Sequence, residues 1–139
     1  MTRVDFYVLG GPAPALQFAC RLIERIYRLR HTLHVRAADA DQARQLDDTL
    51  WTFRAGAFVP HLRVGTPGRA PVWIGTAQDA PGTPDAVPDV VLNLADDPLP
   101  DPTRYTRVAE LVPADPAQRE RARAHFRHYK TAEIGRAHV

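Results

Sequence analysis

Val4-Asp5-Phe6-Tyr7-Val8-Leu9 opens the chain and runs straight into Gly10-Gly11-Pro12. Most of these side chains are β-branched or aromatic, and glycine and proline close the run. It reads as a short buried strand with its turn. From Ala13 to about Arg30, Leu16, Ala19, Cys20, Ile23, Ile26 and Tyr27 recur at spacings of three and four, with Arg21, Glu24, Arg25 and Arg28 on the other faces. That spacing predicts an amphipathic helix. Leu33 to Ala37 reads as a second strand.

The pattern repeats down the chain. Asp39, with Gln42 three residues on, resembles a capping box with Asp in place of Ser or Thr. The helix it opens carries Ala43, Leu46 and Leu50 on one face and ends near Trp51. Further strands are expected at Phe58–Val59, Val72–Gly75, Val90–Leu94 and Val108–Val112. The Pro- and Gly-rich stretch from Val64 to Pro88 predicts a long connection broken by one strand. A second Pro-rich link runs from Asp96 to Pro102. A last helix starts near Asp115-Pro116, because Asp favours the N-cap and Pro the first helical position, and it frays around Gly135. Strands separated by helices predict a three-layer α/β/α domain with a mostly parallel sheet, and leave the strand order open.

At 139 residues and 45% hydrophobic content, one domain spanning residues 1–139 is expected. No apolar run approaches the roughly 20 residues of a membrane-spanning helix, and the N-terminus lacks a signal-peptide layout. The lone Cys20 sits among apolar residues as a small core side chain. These features predict a cytoplasmic protein. The net charge of +2 is uneven: residues 117–139 hold six cations (Arg119, Arg121, Arg123, Arg127, Lys130, Arg136) against Glu120 and Glu133. The tail is therefore basic and the rest slightly acidic, which points to an anionic partner.

Enzyme chemistry finds little support. Gly10-Gly11-Pro12-Ala13-Pro14 lacks the G-x-G-x-x-G spacing and the Lys-Ser/Thr of a P-loop, and its prolines remove N–H donors a phosphate would use. His125 and His128, and likewise His31 and His34, lie three apart with no H-E-x-x-H frame or cysteine pair, so no metal is expected and the histidines read as exposed or core-edge. Asp47-Asp48 and Asp96-Asp97 are adjacent carboxylates without the geometry of an acid–base pair. No catalytic residues and no cofactor are expected.

Two features remain. On a helical wheel Arg119, Arg123, Arg127 and Lys130 share a stripe roughly 80° wide, with Phe126 at its border and Ala122, Phe126, Tyr129 and Glu133 on the adjoining face. Cations there rim an apolar seam. Farther back, Leu46-Asp47-Asp48-Thr49-Leu50-Trp51 is followed by Phe58-Val59-Pro60-His61, and Trp51 falls off the apolar stripe of its helix, as an exposed anchor would.

With the basic C-terminal helix, this stretch resembles the chi subunit family of bacterial DNA polymerase III holoenzyme, a clamp-loader accessory family. The resemblance runs from Phe6-Tyr7-Val8-Leu9 to about Tyr129. It implies a Rossmann-like fold without a cofactor site, in a non-enzymatic subunit of the bacterial replisome. It implies binding of the acidic, Pro-Phe-ending C-terminal tail of single-stranded-DNA-binding protein, with Val112, Arg119, Arg123, Phe126 and Arg127 at the matching positions. This chain departs from the family pattern by Arg for Lys at 119 and 127 and Phe for Tyr at 126. Charge and shape survive, but a tyrosine hydroxyl is lost. Trp51, Phe58, Val59 and Pro60 match the surface that meets the psi subunit or a repair helicase. The competing readings are a direct nucleic-acid-binding module using the basic helix, and a small-molecule enzyme on an α/β scaffold.

Overall fold

The structure, a computed structural model, describes residues 2–10, 14–82, 86–132 and 136–138. In chain order the elements are β1 (Arg3–Val8), α1 (Ala15–Arg28), β2 (Leu33–Ala37), α2 (Ala40–Thr52), β3 (His61–Arg63), β4 (Val72–Thr76), β5 (Val90–Asn93), a 3-10 turn (Pro102–Arg104), β6 (Arg107–Val112), α3 (Pro116–Thr131) and β7 (Arg136–His138). The seven strands lie in the order β3-β4-β2-β5-β6-β1-β7, and every pairing is parallel. The expected start of the first helix at Ala13 and the fraying at Gly135 fall outside the described residues, as does Glu133.

Side-chain alternation along the strands makes the three layers. Leu33, Val35, Val90, Leu92 and Ala109 face α1 and α2, packing with Ile23, Ile26, Leu46 and Leu50. Val4, Phe6, Val91, Val108 and Val112 face the other way, toward Tyr129 of α3. The α3 side is the thinner of the two. That helix buries only His125 and Tyr129. Cys20 is fully buried, which pushes its thiol up to about 12 and leaves it a neutral core side chain.

The start of α2 shows how the sequence sets an element locally. Asp39 accepts a hydrogen bond from the Gln42 backbone N–H at 2.8 Å, and the Gln42 side chain accepts from the Ala38 N–H at 2.7 Å. Two otherwise orphaned donors are met by one pair of side chains. Asp39→Ala is expected to lower stability by about 1 kcal/mol. In urea the unfolding midpoint should fall with an unchanged slope, and an unmoved midpoint would show that the cap is idle.

Two expectations need correction. Phe58–Val59 is not a strand: β3 begins at His61, because its partner β4 begins only at Val72, and Pro60 has no N–H to donate to a ladder. The histidines are not all exposed or at the core edge. His34, His61 and His125 are buried. Burial drives the His34 imidazole down to about 4, with Arg36 adding to this and Asp79 opposing it, so that ring is neutral near pH 7.

Candidate functional site

The α3 helix starts at Pro116 behind Asp115, whose carboxylate accepts from the Ala117 N–H at 3.4 Å. The helix then crosses the carboxyl ends of β1 and β6, where Val8 and Val112 are register partners. Between helix and strands lies an apolar groove of about 570 Å³. Phe6, Val8, Val112, Ala122 and Phe126 form its walls, and Arg119, Arg123 and Arg127 stand around it. All five residues expected from the sequence for this site therefore line one groove. Phe126 is 37% exposed, with its ring 5.8 Å from that of Phe6.

The rim is strongly cationic. Arg123 pairs with Glu120 at 3.0 Å, and both side chains are well exposed. Arg119 and Arg127 have no ion-pair partner among the described residues. Guanidinium forks suit carboxylates, and the walls suit an aromatic or aliphatic side chain. Helical spacing had already put Ala122 on the seam, but sequence reading missed Phe6 and Val8. The signal was there: Val4, Phe6 and Val8 alternate onto one face of β1, and Val8 stays 48% exposed at the end of it.

Beneath α3 the sheet carries polar groups instead of a thick apolar core. Glu110 on β6 accepts hydrogen bonds from Asn93 Nδ2 at 2.8 Å, from His125 Nδ1–H at 3.0 Å and from the Tyr129 hydroxyl. Arg36 Nη1 donates to Asn93 Oδ1 at 2.9 Å, and its Nη2 to Asp97 Oδ2 at 3.0 Å. Burial and the Glu110 charge together hold the Tyr129 hydroxyl protonated. Asn93, Glu110 and His125 also edge a crevice of about 260 Å³ at the carboxyl ends of β5 and β6. Ligands of α/β proteins often sit in such a place. Here these three side chains spend their hydrogen bonds on one another, on Arg36 and Tyr129, and on the neighbouring backbone.

The second cluster lies at the opposite end of the sheet, where α2 meets edge strand β3. Trp51 is 54% and Phe58 61% exposed, with ring centroids 6.0 Å apart. His61 supports the Trp51 ring at 4.7 Å and is itself held between the Val59 carbonyl at 2.6 Å and the Asp47 carboxylate at 2.8 Å. Pro60 is half-buried, while the Val59 side chain lies in the core and backs the surface from below. Among the described residues no three His, Cys, Asp or Glu side chains are placed to hold a metal, and no helix is long and apolar enough to cross a membrane.

Comparison with known proteins adds the family. The family described as "DNA polymerase III chi subunit, HolC" matches residues 1–135. The chain is similar to the DNA polymerase III subunit chi of Pseudomonas aeruginosa, at 39% identity over 132 residues, 94% of this chain and 90% of the relative. It is also similar to the DNA polymerase III subunit chi of Escherichia coli, at 27% identity over 140 residues, 95% of this chain and 93% of the relative.

Proposed function

Because this chain belongs to the DNA polymerase III chi subunit family, we propose that it is a non-catalytic replication adaptor with two docking surfaces. The groove under α3 takes the acidic C-terminal tail of single-stranded-DNA-binding protein. The Trp51–Phe58 surface takes the psi subunit, and through it the clamp loader, or else a repair helicase. The whole chain acts as one chi-like domain in the bacterial cytoplasm and reaches single-stranded DNA indirectly, through its partner.

The observation that carries this reading is the juxtaposition in the groove: apolar walls from β1, β6 and Phe126, ringed by Arg119, Arg123 and Arg127. Val112 and Phe126 wall the terminal Phe, and the guanidinium groups pair with the tail's aspartates and terminal carboxylate. The outcrop and the groove lie at β3 and at β1–β6, with β4, β2 and β5 between them. At about 4.8 Å per strand they are on the order of 20 Å apart, so both partners fit at once and each raises the local concentration of the other.

Calorimetric titration with a short acidic peptide ending in Pro-Phe tests the reading, beside the same peptide lacking its last residue. Losing the Phe side chain should weaken binding at least about tenfold, the scale of one buried aromatic. Equal affinity for both peptides, or no binding of either, would reject it. Bare single-stranded DNA in a gel shift at moderate salt should bind poorly, and tight binding there would favour the nucleic-acid-binding alternative.

A further inference from the structure

The two side chains that α3 buries, His125 and Tyr129, reach the same acceptor. Glu110 is their shared partner, is itself 3% exposed, and is fixed from the β5 side by Asn93. On the helix, Phe126 follows His125 directly, and Arg123 and Arg127 stand two residues to either side. Glu110 alternates with Val108 and Val112 along β6, so the strand that holds the helix also walls the groove.

We propose that Glu110, gripping His125 and Tyr129 together, is the positioning element of the tail groove: it sets how α3 sits on β6, and so the opening between Phe126 and the Val8–Val112 wall. This rests on the tail-binding reading. Glu110 and His125 touch no ligand in it; they act through the seat of the helix. Remaining contacts, the packing of Phe6 against Phe126 and Tyr129 and the pair between Arg121 and Asp96 at 2.8 Å, keep α3 on the sheet when the grip weakens.

The grip depends on a proton. His125 Nδ1 lies 3.0 Å from Glu110 Oε1 and Nε2 lies 2.8 Å from the Asp96 carbonyl, so both ring nitrogens face acceptors and only the imidazolium donates to both. Burial by itself lowers the pKa of the ring, but the hydrogen bond and charge of Glu110, with the Asp96 carbonyl, outweigh burial and raise it above the ordinary histidine value, against a small opposing effect of Arg121. Asn93 faces the pair from β5, Arg36 reaches it from β2 through Asn93 and Asp97, and Tyr129 comes from α3. Among the described residues, the α1 and α2 layer brings only apolar and amide side chains to this crevice. With a raised folded-state pKa, the contribution is complete below the unfolded value of about 6.5 and is lost as pH rises through the folded value. Once neutral, the ring turns a lone pair toward an oxygen, and the helix gives way there.

Tail-peptide affinity measured from about pH 6 to about pH 9 tests this, because arginines and ionised tail carboxylates do not titrate in that range. The series is run in His128→Asn, which leaves His125 as the one histidine of α3. Affinity should fall about tenfold across the range, with the midpoint of the His125 imidazole titration seen by NMR. Glu110→Gln should flatten the profile at a weaker level, and His125→Gln, which needs no buried charge, should flatten it likewise. Binding that is tight and independent of pH overturns the positioning role and leaves tail capture standing. Absence of binding at every pH overturns tail capture, and the ligand-free protein then decides the positioning role. Val8, Val112 and Phe126 resonances that follow the His125 midpoint support it, and resonances that stay fixed overturn it.

Discussion

Reversing Arg123 and Arg127 together to glutamate is expected to weaken binding of the acidic tail peptide on the order of 100-fold at physiological salt, with little change in stability. Both side chains are exposed on α3 and neither reaches the polar cluster beneath it, so the folded state should change by no more than about 0.5 kcal/mol. A hydrogen bond to a charged group contributes about 1.5 to 3 kcal/mol, and exposure places these at the low end. Two such losses make about 3 kcal/mol, or somewhat over two orders of magnitude. Glu120, which pairs with Arg123 at 3.0 Å, would then stand beside a second glutamate and repel the tail further. Salt gives an independent reading. Wild-type affinity should fall as ionic strength rises, and the reversed protein should lose most of that slope. Arg21→Glu with Arg25→Glu makes the same charge change on exposed positions of α1, on the far face of the sheet. With screening over about 8 Å, that control should bind the peptide nearly as the wild type does. An equal loss in the control would mean that general attraction, and not the groove, does the binding.

What the sequence made legible and what it hid follow one division. Elements governed by apolar spacing came through: Ile23, Ile26, Leu46 and Leu50 are core because three- and four-residue periods put them on one helix face, and Asp39 caps α2 as its residue type requires. The basic stripe of α3 was visible for the same reason. Contacts between polar side chains have no period to betray them. Glu110 meets Asn93 17 residues away and Tyr129 19 away, and Arg36 meets Asn93 across 57. A charged residue inside an apolar strand gives no sign of whether it finds a partner. The groove shows the same division: one wall is on α3, where helical spacing sets Ala122 and Phe126 beside the arginines, while Phe6 and Val8 come from the first strand, which only the strand order β6-β1 brings alongside. The misread strand at Phe58–Val59 has a related origin, since pairing depends on where β4 begins, more than ten residues downstream.

Trp51 and Val59, which the resemblance assigns to one surface, differ in the structure: Trp51 is exposed and Val59 is core. Trp51→Ala is expected to cost about 30-fold or more in affinity for the second partner, the psi subunit or a helicase, measured by calorimetry or co-purification. A central tryptophan of an interface commonly contributes 2 kcal/mol or more, and this one is 54% exposed, stacked on a His61 that is itself fixed from two sides. Its removal opens no core cavity, so the melting temperature should hold. Tail-peptide affinity should also hold, since the groove lies across the sheet and distant sites add independently. Val59→Ala should behave in the opposite way. Its side chain is 1% exposed within the α1–α2 core, so truncation lowers stability by roughly 1 kcal/mol and leaves the outer surface in place. The pair of variants therefore distinguishes a docking surface from a piece of core: selective loss of one partner at constant stability for Trp51, and loss of stability without selectivity for Val59. If Trp51→Ala kept its second partner at full affinity, or weakened both partners equally, the aromatic outcrop would have no claim to be an interface.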